Sequence, residues 1–295
     1  MTIPDHIWKL GESRQAARSE KNYARADEIR DELLSLGWEI IDVSGQFELR
    51  PKVRYSEIQS ISALKPLFAG SRISICLIVT GFPKDAANSI ASIRKFSSAP
   101  ILTLVFGAVD ELENVIDDQT VVIRVLEDCG WGAAANAALQ KISSPFVVIM
   151  DPSTTLEGDA IAPILEVLEI GEFSAVGWRG GLVNVEDEWR SVDDRGAGEV
   201  DVLFSYFLAV NRESAVEVGG FNSRAVYYRN ADIEFSLRLR QTGGRLLQMD
   251  LPLTQGRHHG YHDVDPEYRD VQSKKNYDRI LERFRGKNAI LSERR

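Results

Sequence analysis

Three short segments and a histidine cluster hold the side chains able to do chemistry. The first is Asp128-Cys-Gly-Trp-Gly-Ala-Ala-Ala-Asn136. Gly130 and Gly132 let the backbone turn and approach a ligand closely, and a helix starting there offers N–H groups to a phosphate. The same residues equally describe a tight strand-to-helix turn. The second is Met150-Asp-Pro-Ser-Thr-Thr155. Asp151, ending an apolar strand, can hold a divalent cation or a ribose hydroxyl, or simply cap a turn. The third joins Gly219-Gly-Phe-Asn222 to Ala231-Asp-Ile-Glu234 and Leu237-Arg-Leu-Arg240. Asp232 and Glu234 flank a helix start, where acidic side chains suit the helix dipole; facing a pocket, Asp232 would serve as a general base. Finally, His258, His259 and His262 gather three of the chain's four histidines into five positions. That density suits metal binding or an ordinary surface loop.

Elements of regular spacing must position these groups. Apolar, β-branched runs read as strands buried on both faces: ISICLIVT (73–80), ILTLVF (101–106), VVIRVL (121–126) and PFVVIMD (145–151). Helical patterns cover 86–96, 132–141 and 159–168. Alternating strand and helix implies a parallel sheet with crossover helices. Ligands of such sheets bind beyond the carboxyl ends of the strands, where the first two segments fall. Further on, SAVGW, VDVLFSYFLAV (200–210) and RLLQMDL read as strands, and 232–241 and 266–285 as helices.

The N-terminal stretch is different. Residues 5–36 read as two helices, the second with an apolar stripe of Tyr23, Ala26, Ile29, Leu33 and Leu36. Gly37 stops it, and a hairpin folds about Ser44-Gly45. The expected organisation is a module over 1–52, a connector over 53–71, an α/β domain over 72–286 and a tail over 287–295.

A net charge of −9 argues against bulk attraction to nucleic acid or anionic lipid. Cys76 and Cys129 stand too far apart in sequence for metal-ligand spacing. The first residues lack the apolar region of a signal peptide, and no run has the roughly 18 apolar residues of a membrane span. The expected location is the cytoplasm.

In this order and spacing, the segments from 72 to 286 resemble family 2 glycosyltransferases of the GT-A type, in the rhamnosyltransferase-like branch. Asp128–Asn136 is similar to a family segment N-x-G-f-g-a-a-x-N, and Asp151-Pro152-Ser153 to N-P-D or D-x-D. Val218–Asn222 is similar to v-G-G-F-D, Ala231–Arg240 to E-D-x-D-L-x-x-R-L-R, and Pro252 with His258–Gly260 to a proline followed by H-H-x-G. The resemblance implies a GT-A type fold, a Rossmann-like mixed sheet flanked by helices. It also implies transfer of a sugar from a nucleotide-diphosphate sugar to a hydroxyl acceptor, with inversion. Under it Asp232 is the catalytic base, while Asp128, Gly130, Gly132, Asn136, Asp151, Ser153, Glu234 and Arg238 bind substrate. A divalent metal, Mn or Mg, would sit on Asp151 and His258. The sequence departs from the pattern at Ser153, at Ala231, and at Thr80-Gly81-Phe82-Pro83 and Phe106–Val109, where nucleotide contacts are expected. These departures open an alternative: a catalytically impaired GT-A scaffold kept for binding.

Residues 8–52, with Tyr23-Ala-Arg-Ala-Asp-Glu-Ile-Arg-Asp-Glu-Leu33 at their centre, resemble the C-terminal region of cysteinyl-tRNA synthetase. The resemblance implies a tRNA or protein partner for this module. Eight Lys and Arg face ten Asp and Glu across residues 1–52. That balance favours protein docking, with a face of Arg14, Arg18 and Arg25 left as the route to phosphates.

Overall fold

The computed structural model describes residues 3–43, 45–257 and 260–294. The chain divides into two compact units, Met1–Arg54 and Tyr55–Arg295.

In the small unit, α1 (Asp5–Ser19) and α2 (Tyr23–Ser35) pack against the antiparallel hairpin of β1 (Trp38–Val43) and β2 (Gln46–Pro51). Their core is Ile7, Ile29, Leu33, Ile40 and Leu49. Gly11 sits mid-helix because a Cβ there would stand 2.4 Å from the Phe47 ring. Buried Arg14 grips Asp42 with two bonds of 2.8 and 3.1 Å, and Arg18 reaches the same carboxylate at 2.6 Å. Arg25 pairs with Glu28. The basic face read from the sequence is therefore partly neutralised, Arg14 and Arg18 sharing one carboxylate and Arg25 having its own.

The hydrogen bond from Arg14 holds the Asp42 carboxyl below its usual range; partial burial opposes this, and the charges of Arg14 and Arg18 reinforce it. A depressed carboxylate stabilises the fold above its unfolded pKa of about 3.9, and that contribution disappears as pH falls through the folded value. Asp42→Asn is therefore expected to loosen this unit by about 1 kcal/mol at pH 7, a half-exposed charged pair being worth less than a buried one. Amide exchange in α1, compared between variant and wild type, should show the difference at pH 7 and lose it below the folded pKa.

The large unit is a mixed sheet with helices on both faces. Its elements begin with β3 (Ser56–Ile58), β4 (Ile73–Val79), α3 (Pro83–Phe96), β5 (Ile101–Val105), β6 (Thr120–Val125), α4 (Trp131–Lys141) and β7 (Phe146–Met150). There follow β8 (Thr154–Leu156), α5 (Ile161–Ile170), β9 (Ala175–Gly177), β10 (Gly180–Val183), β11 (Val192–Asp193), β12 (Gly198–Val200), β13 (Val202–Leu203), β14 (Phe207–Asn211) and α6 (Arg212–Glu217). The chain closes with α7 (Ala231–Gln241), β15 (Leu246–Gln248), β16 (Leu253–Gln255) and α8 (Pro266–Phe284). Among the described residues the main sheet runs β12-β15-β9-β14-β7-β4-β5-β6-β3. β3 to β7 are mutually parallel, while β14 is antiparallel to both β7 and β9.

The apolar runs explain the layers. Along β4, Ile73, Ile75, Leu77 and Val79 face one core with Ile90 and Ile93 of α3. Cys76 and Ile78 face the other, with Ala134, Ala138 and Leu139 of α4. A strand buried on both sides needs no polar alternation. Burial pushes the Cys76 thiol up to about 12.

Three expectations change. Residues 53–71 are not a plain connector: Ser56–Ile58 forms the edge strand beside β6, and Leu67 bridges to Ile142. The expected tail, 287–295, is tied down within its described residues: Ser292 and Arg294 bond the buried Asp201 carboxylate. The run 200–210 is not one strand, since Phe204–Tyr206 separates β13 from β14. None of the helices among the described residues is long and apolar enough to cross a membrane.

Candidate active site

The sheet reverses direction of growth at β4, with β5 on one side and β7 on the other. Such a switch point opens a crevice beyond the strand ends. Two clefts occupy it. One, of about 570 Å³, is lined by Thr80, Phe106, Gly107, Arg124, Leu126 and Asp128. The other, of about 290 Å³, lies among Thr80, Phe82, Asp85, Asp151, Ser153 and Gly260. They share Thr80. Phe82 holds a left-handed backbone with φ of 53°, just before Pro83 starts α3. The Arg257 guanidinium lies 4.4 Å from the Phe82 ring centre and pairs with Asp85 at 2.8 Å.

Asp151 is fully buried at the end of β7. One oxygen accepts the Ser153 N–H at 2.7 Å and the other the Gln255 side-chain amide at 2.9 Å. Ser153 thus closes the turn on Asp151. A cation of the Mg or Mn class takes several oxygen ligands. Among the described residues no group of three His, Cys, Asp or Glu could hold a metal ion. Asp151 is the described member of the expected pair of ligands, and His258, the other, lies outside the described residues.

A third cleft, of about 780 Å³, contains Asp232 with Phe204, Tyr206, Tyr228 and Tyr277 around it. Asp232 opens α7 and is almost wholly buried. Its carboxylate accepts the Ser205 N–H at 2.8 Å, the Ser205 hydroxyl at 3.0 Å and the Ile233 N–H at 2.9 Å. Burial pushes its pKa up, against those hydrogen bonds. The strand break at 204–206 is what brings Ser205 to this carboxylate. The Tyr206 phenol is pushed up by burial first, then by the charges of Asp232 and Asp151. Tyr206 lines the third cleft, and its backbone carbonyl accepts the Asp151 N–H at 3.1 Å.

The other expected residues also make contacts within the fold. Gly130 and Gly132 admit the 222–226 loop: a Cβ would stand 2.8 Å from Val226 Cα in the first case and 2.2 Å from the Asn222 carbonyl oxygen in the second. The N–H groups of Trp131 and Gly132 donate to the Val226 and Ala225 carbonyls at 3.1 and 2.8 Å. The start of α4 thus spends these donors on its own chain and does not offer them to a phosphate. Asn136 clamps Phe221 through both its N–H and its C=O. Asp128 lines the first cleft and accepts the Gly130 N–H at 2.8 Å. Glu234, two positions from Asp232, points to the opposite side of the helix. It accepts from Asn222 and pairs with Arg279. Arg238 donates to the Gly220 and Val218 carbonyls.

Tyr206, Ser205, Tyr228 and Gln255 were not singled out by sequence. The polar pair Ser205-Tyr206 inside an apolar run is a signal for the first two. Tyr228 and Gln255 carry none, because their place depends on contacts far along the chain.

No family model matches the chain. Its N-terminal region is similar to cysteine–tRNA ligases. One is from Chlamydia caviae, 46% identical over 54 residues, covering 18% of this chain and 10% of the ligase. Another is from Brachyspira hyodysenteriae, 60% identical over 38 residues, covering 13% and 8%. The chain thus spans about a tenth of the length of the curated relatives it matches. Among solved structures, GalNAc-T7 with UDP, GalNAc and Mn²⁺ superposes with a TM-score of 0.55 at 15% identity, over 72% of this chain and 48% of that one. A mannosyltransferase from Pyrobaculum calidifontis, solved with GDP-Man and Mn²⁺, superposes at 0.47 and 12% identity, over 92% and 80%. The fold is the GT-A fold of glycosyltransferases.

Proposed function

We propose that the large unit transfers a sugar from a nucleotide-diphosphate sugar to a hydroxyl acceptor, with inversion, in the cytoplasm. The observation that carries this reading is the buried Asp232 carboxylate, set in a cleft of its own lined by aromatic side chains. The donor occupies that crevice, with Asp128 and Arg124 beside its nucleotide and Asp151 beneath it. The acceptor enters the Asp232 cleft. Its oxygen attacks the anomeric carbon, the bond from that carbon to the diphosphate breaks, and the acceptor proton passes to Asp232. A base with a raised pKa is better matched to removing a hydroxyl proton near neutral pH. Each of these steps is carried by the chain's own residues.

The full chain incubated with a panel of UDP- and GDP-sugars should release free nucleoside diphosphate from at least one donor, read by chromatography. Silence across the panel, with nucleotides still bound, would favour the second reading, a binding scaffold without turnover. That reading has its own support in Ser153, Ala231 and an Asp151 whose oxygens already accept hydrogen bonds. For the small unit, where Arg14, Arg18 and Arg25 each meet a carboxylate of the same unit, a protein partner is the proposal preferred over tRNA.

A further inference from the structure

Resting on the assignment of the Asp232 cleft to the acceptor, we propose that this cleft selects an acceptor bearing an anionic group, phosphate or carboxylate, gripped by Arg190 and Arg229. The chain carries a net charge of −9, yet among the described residues this cleft is lined by two arginines and, apart from Asp232, by no carboxylate. Asp232 itself is buried, so the two arginines are the lining charges an incoming ligand meets at the rim, with Glu188 beside Arg190.

Both arginines are available. The Arg229 guanidinium rests 4.6 Å from the Tyr261 ring centre and has no carboxylate partner among the described residues. Stacking occupies the face of a guanidinium and leaves its edge N–H donors to bind oxygen pairs. Arg190 meets Glu188 at 3.3 Å, with side chains 67% and 61% exposed. So exposed a pair is weak and readily exchanged for a ligand oxygen.

Arg190 is also held in place at some cost to the backbone. The two residues before it, Glu188 and Trp189, both adopt left-handed conformations, with φ of 62° and 69°. Residues with side chains rarely do so unless their surroundings over-determine them. Here they do. The Trp189 indole packs with Val183, Leu237, Ile280 and Phe284 and donates to Asn288 at 3.2 Å. Its N–H donates to the Asn184 carbonyl, and its own carbonyl accepts the Tyr277 hydroxyl. Arg285 holds Glu188. The strained turn delivers the next residue, Arg190, to the cleft. Phe204, Tyr206, Tyr228 and Tyr277 offer aromatic surfaces to a sugar ring, so an acceptor would lie with its anion outward and its hydroxyl toward Asp232.

The test is thermal stabilisation of the full chain by glucose 6-phosphate, glucuronate and neutral methyl glucoside, in wild type and in R190Q/R229Q, with UDP run in parallel. One or both anionic sugars should raise the melting temperature while methyl glucoside does not; which one responds identifies the anion. The double variant should weaken that binding by roughly tenfold or more, since charge-assisted contacts are removed. Its response to UDP should match wild type, which also shows that it is folded; should it fail to fold, R229Q alone carries the same expectation. Equal stabilisation by methyl glucoside, no response to either anion, or an anion response unchanged in the variant overturns the proposal. Loss of the UDP response in the variant would place the arginines on the donor and overturn it as well. A wild type that answers the anions but not UDP or GDP would instead sink the donor assignment and leave this anion site standing.

Discussion

Asp232→Asn is expected to slow sugar transfer by about 10²- to 10⁴-fold, the usual worth of a positioned general base. Nucleotide binding should stay near the wild-type level, because Asp232 lies in a different cleft from the crevice at the ends of β4–β7. The amide keeps the size of the carboxyl group and one of its acceptor oxygens, so the bonds from Ser205 can be largely retained. What it loses is the ability to take a proton. The pH dependence gives a second signature. Burial raises the Asp232 pKa, so the wild-type rate should climb with pH through a midpoint above the ordinary aspartate value of about 3.9. The variant should lack that limb. Stability runs the other way. A raised acid keeps its proton in the folded state after the unfolded chain has lost it. Its contribution is therefore full below the unfolded pKa and is lost as pH rises through the folded one. At pH 7 the variant should melt no lower than wild type. Initial rates and melting curves across pH, measured on both proteins, check all of this; a variant with wild-type rates would remove Asp232 from the mechanism.

Gly132→Ala carries the largest expected loss of stability. The added methyl would sit 2.2 Å from the Asn222 carbonyl oxygen and 3.1 Å from its carbon. These are backbone atoms, and the loop they belong to is pinned from several directions. Asn136 holds Phe221, Glu234 holds the Asn222 side chain, and Gly132 itself donates to Ala225. Neither side can yield cheaply. Overpacking of this kind costs about 3 kcal/mol. In a unit of this size, that corresponds to a fall of roughly 6–12 °C in Tm. The fall should be the same with and without UDP, since the glycine admits the chain's own loop. An unchanged Tm with a lost UDP response would instead make Gly132 a ligand-approach residue.

This glycine shows why the candidate site was only partly legible. The pattern G-W-G after a strand announces that something comes close to the backbone there, but not what. In this protein the visitor is the 222–226 loop, ninety residues downstream in sequence and invisible to local spacing. The places of Asp151 and Asp232 at element ends were readable because the patterns are strong: PFVVIM is apolar throughout, and Asp232 lies in the first turn of a helix rich in charge at its far end. The strands of the parallel half were readable for the same reason. The break at Phe204–Tyr206 was not, because LFSYF is compatible with an uninterrupted strand, and the Asp232 carboxylate that Ser205 bonds lies 27 residues further on. The edge strand Ser56–Ile58 is three residues long, too short to show a period. The pairing of Arg14 and Arg18 with Asp42 crosses more than twenty residues, so a basic face on the helix looked free when it was not.

Amide hydrogen exchange of the full chain, with and without saturating UDP or GDP, tests the placement of the donor most directly. Protection should rise in the four segments around Thr80–Phe82, Phe106–Gly107, Leu126–Asp128 and Asp151–Ser153, with the small unit unchanged. Protection confined to other segments, or none with either nucleotide, would contradict a nucleotide-sugar site at the ends of β4–β7.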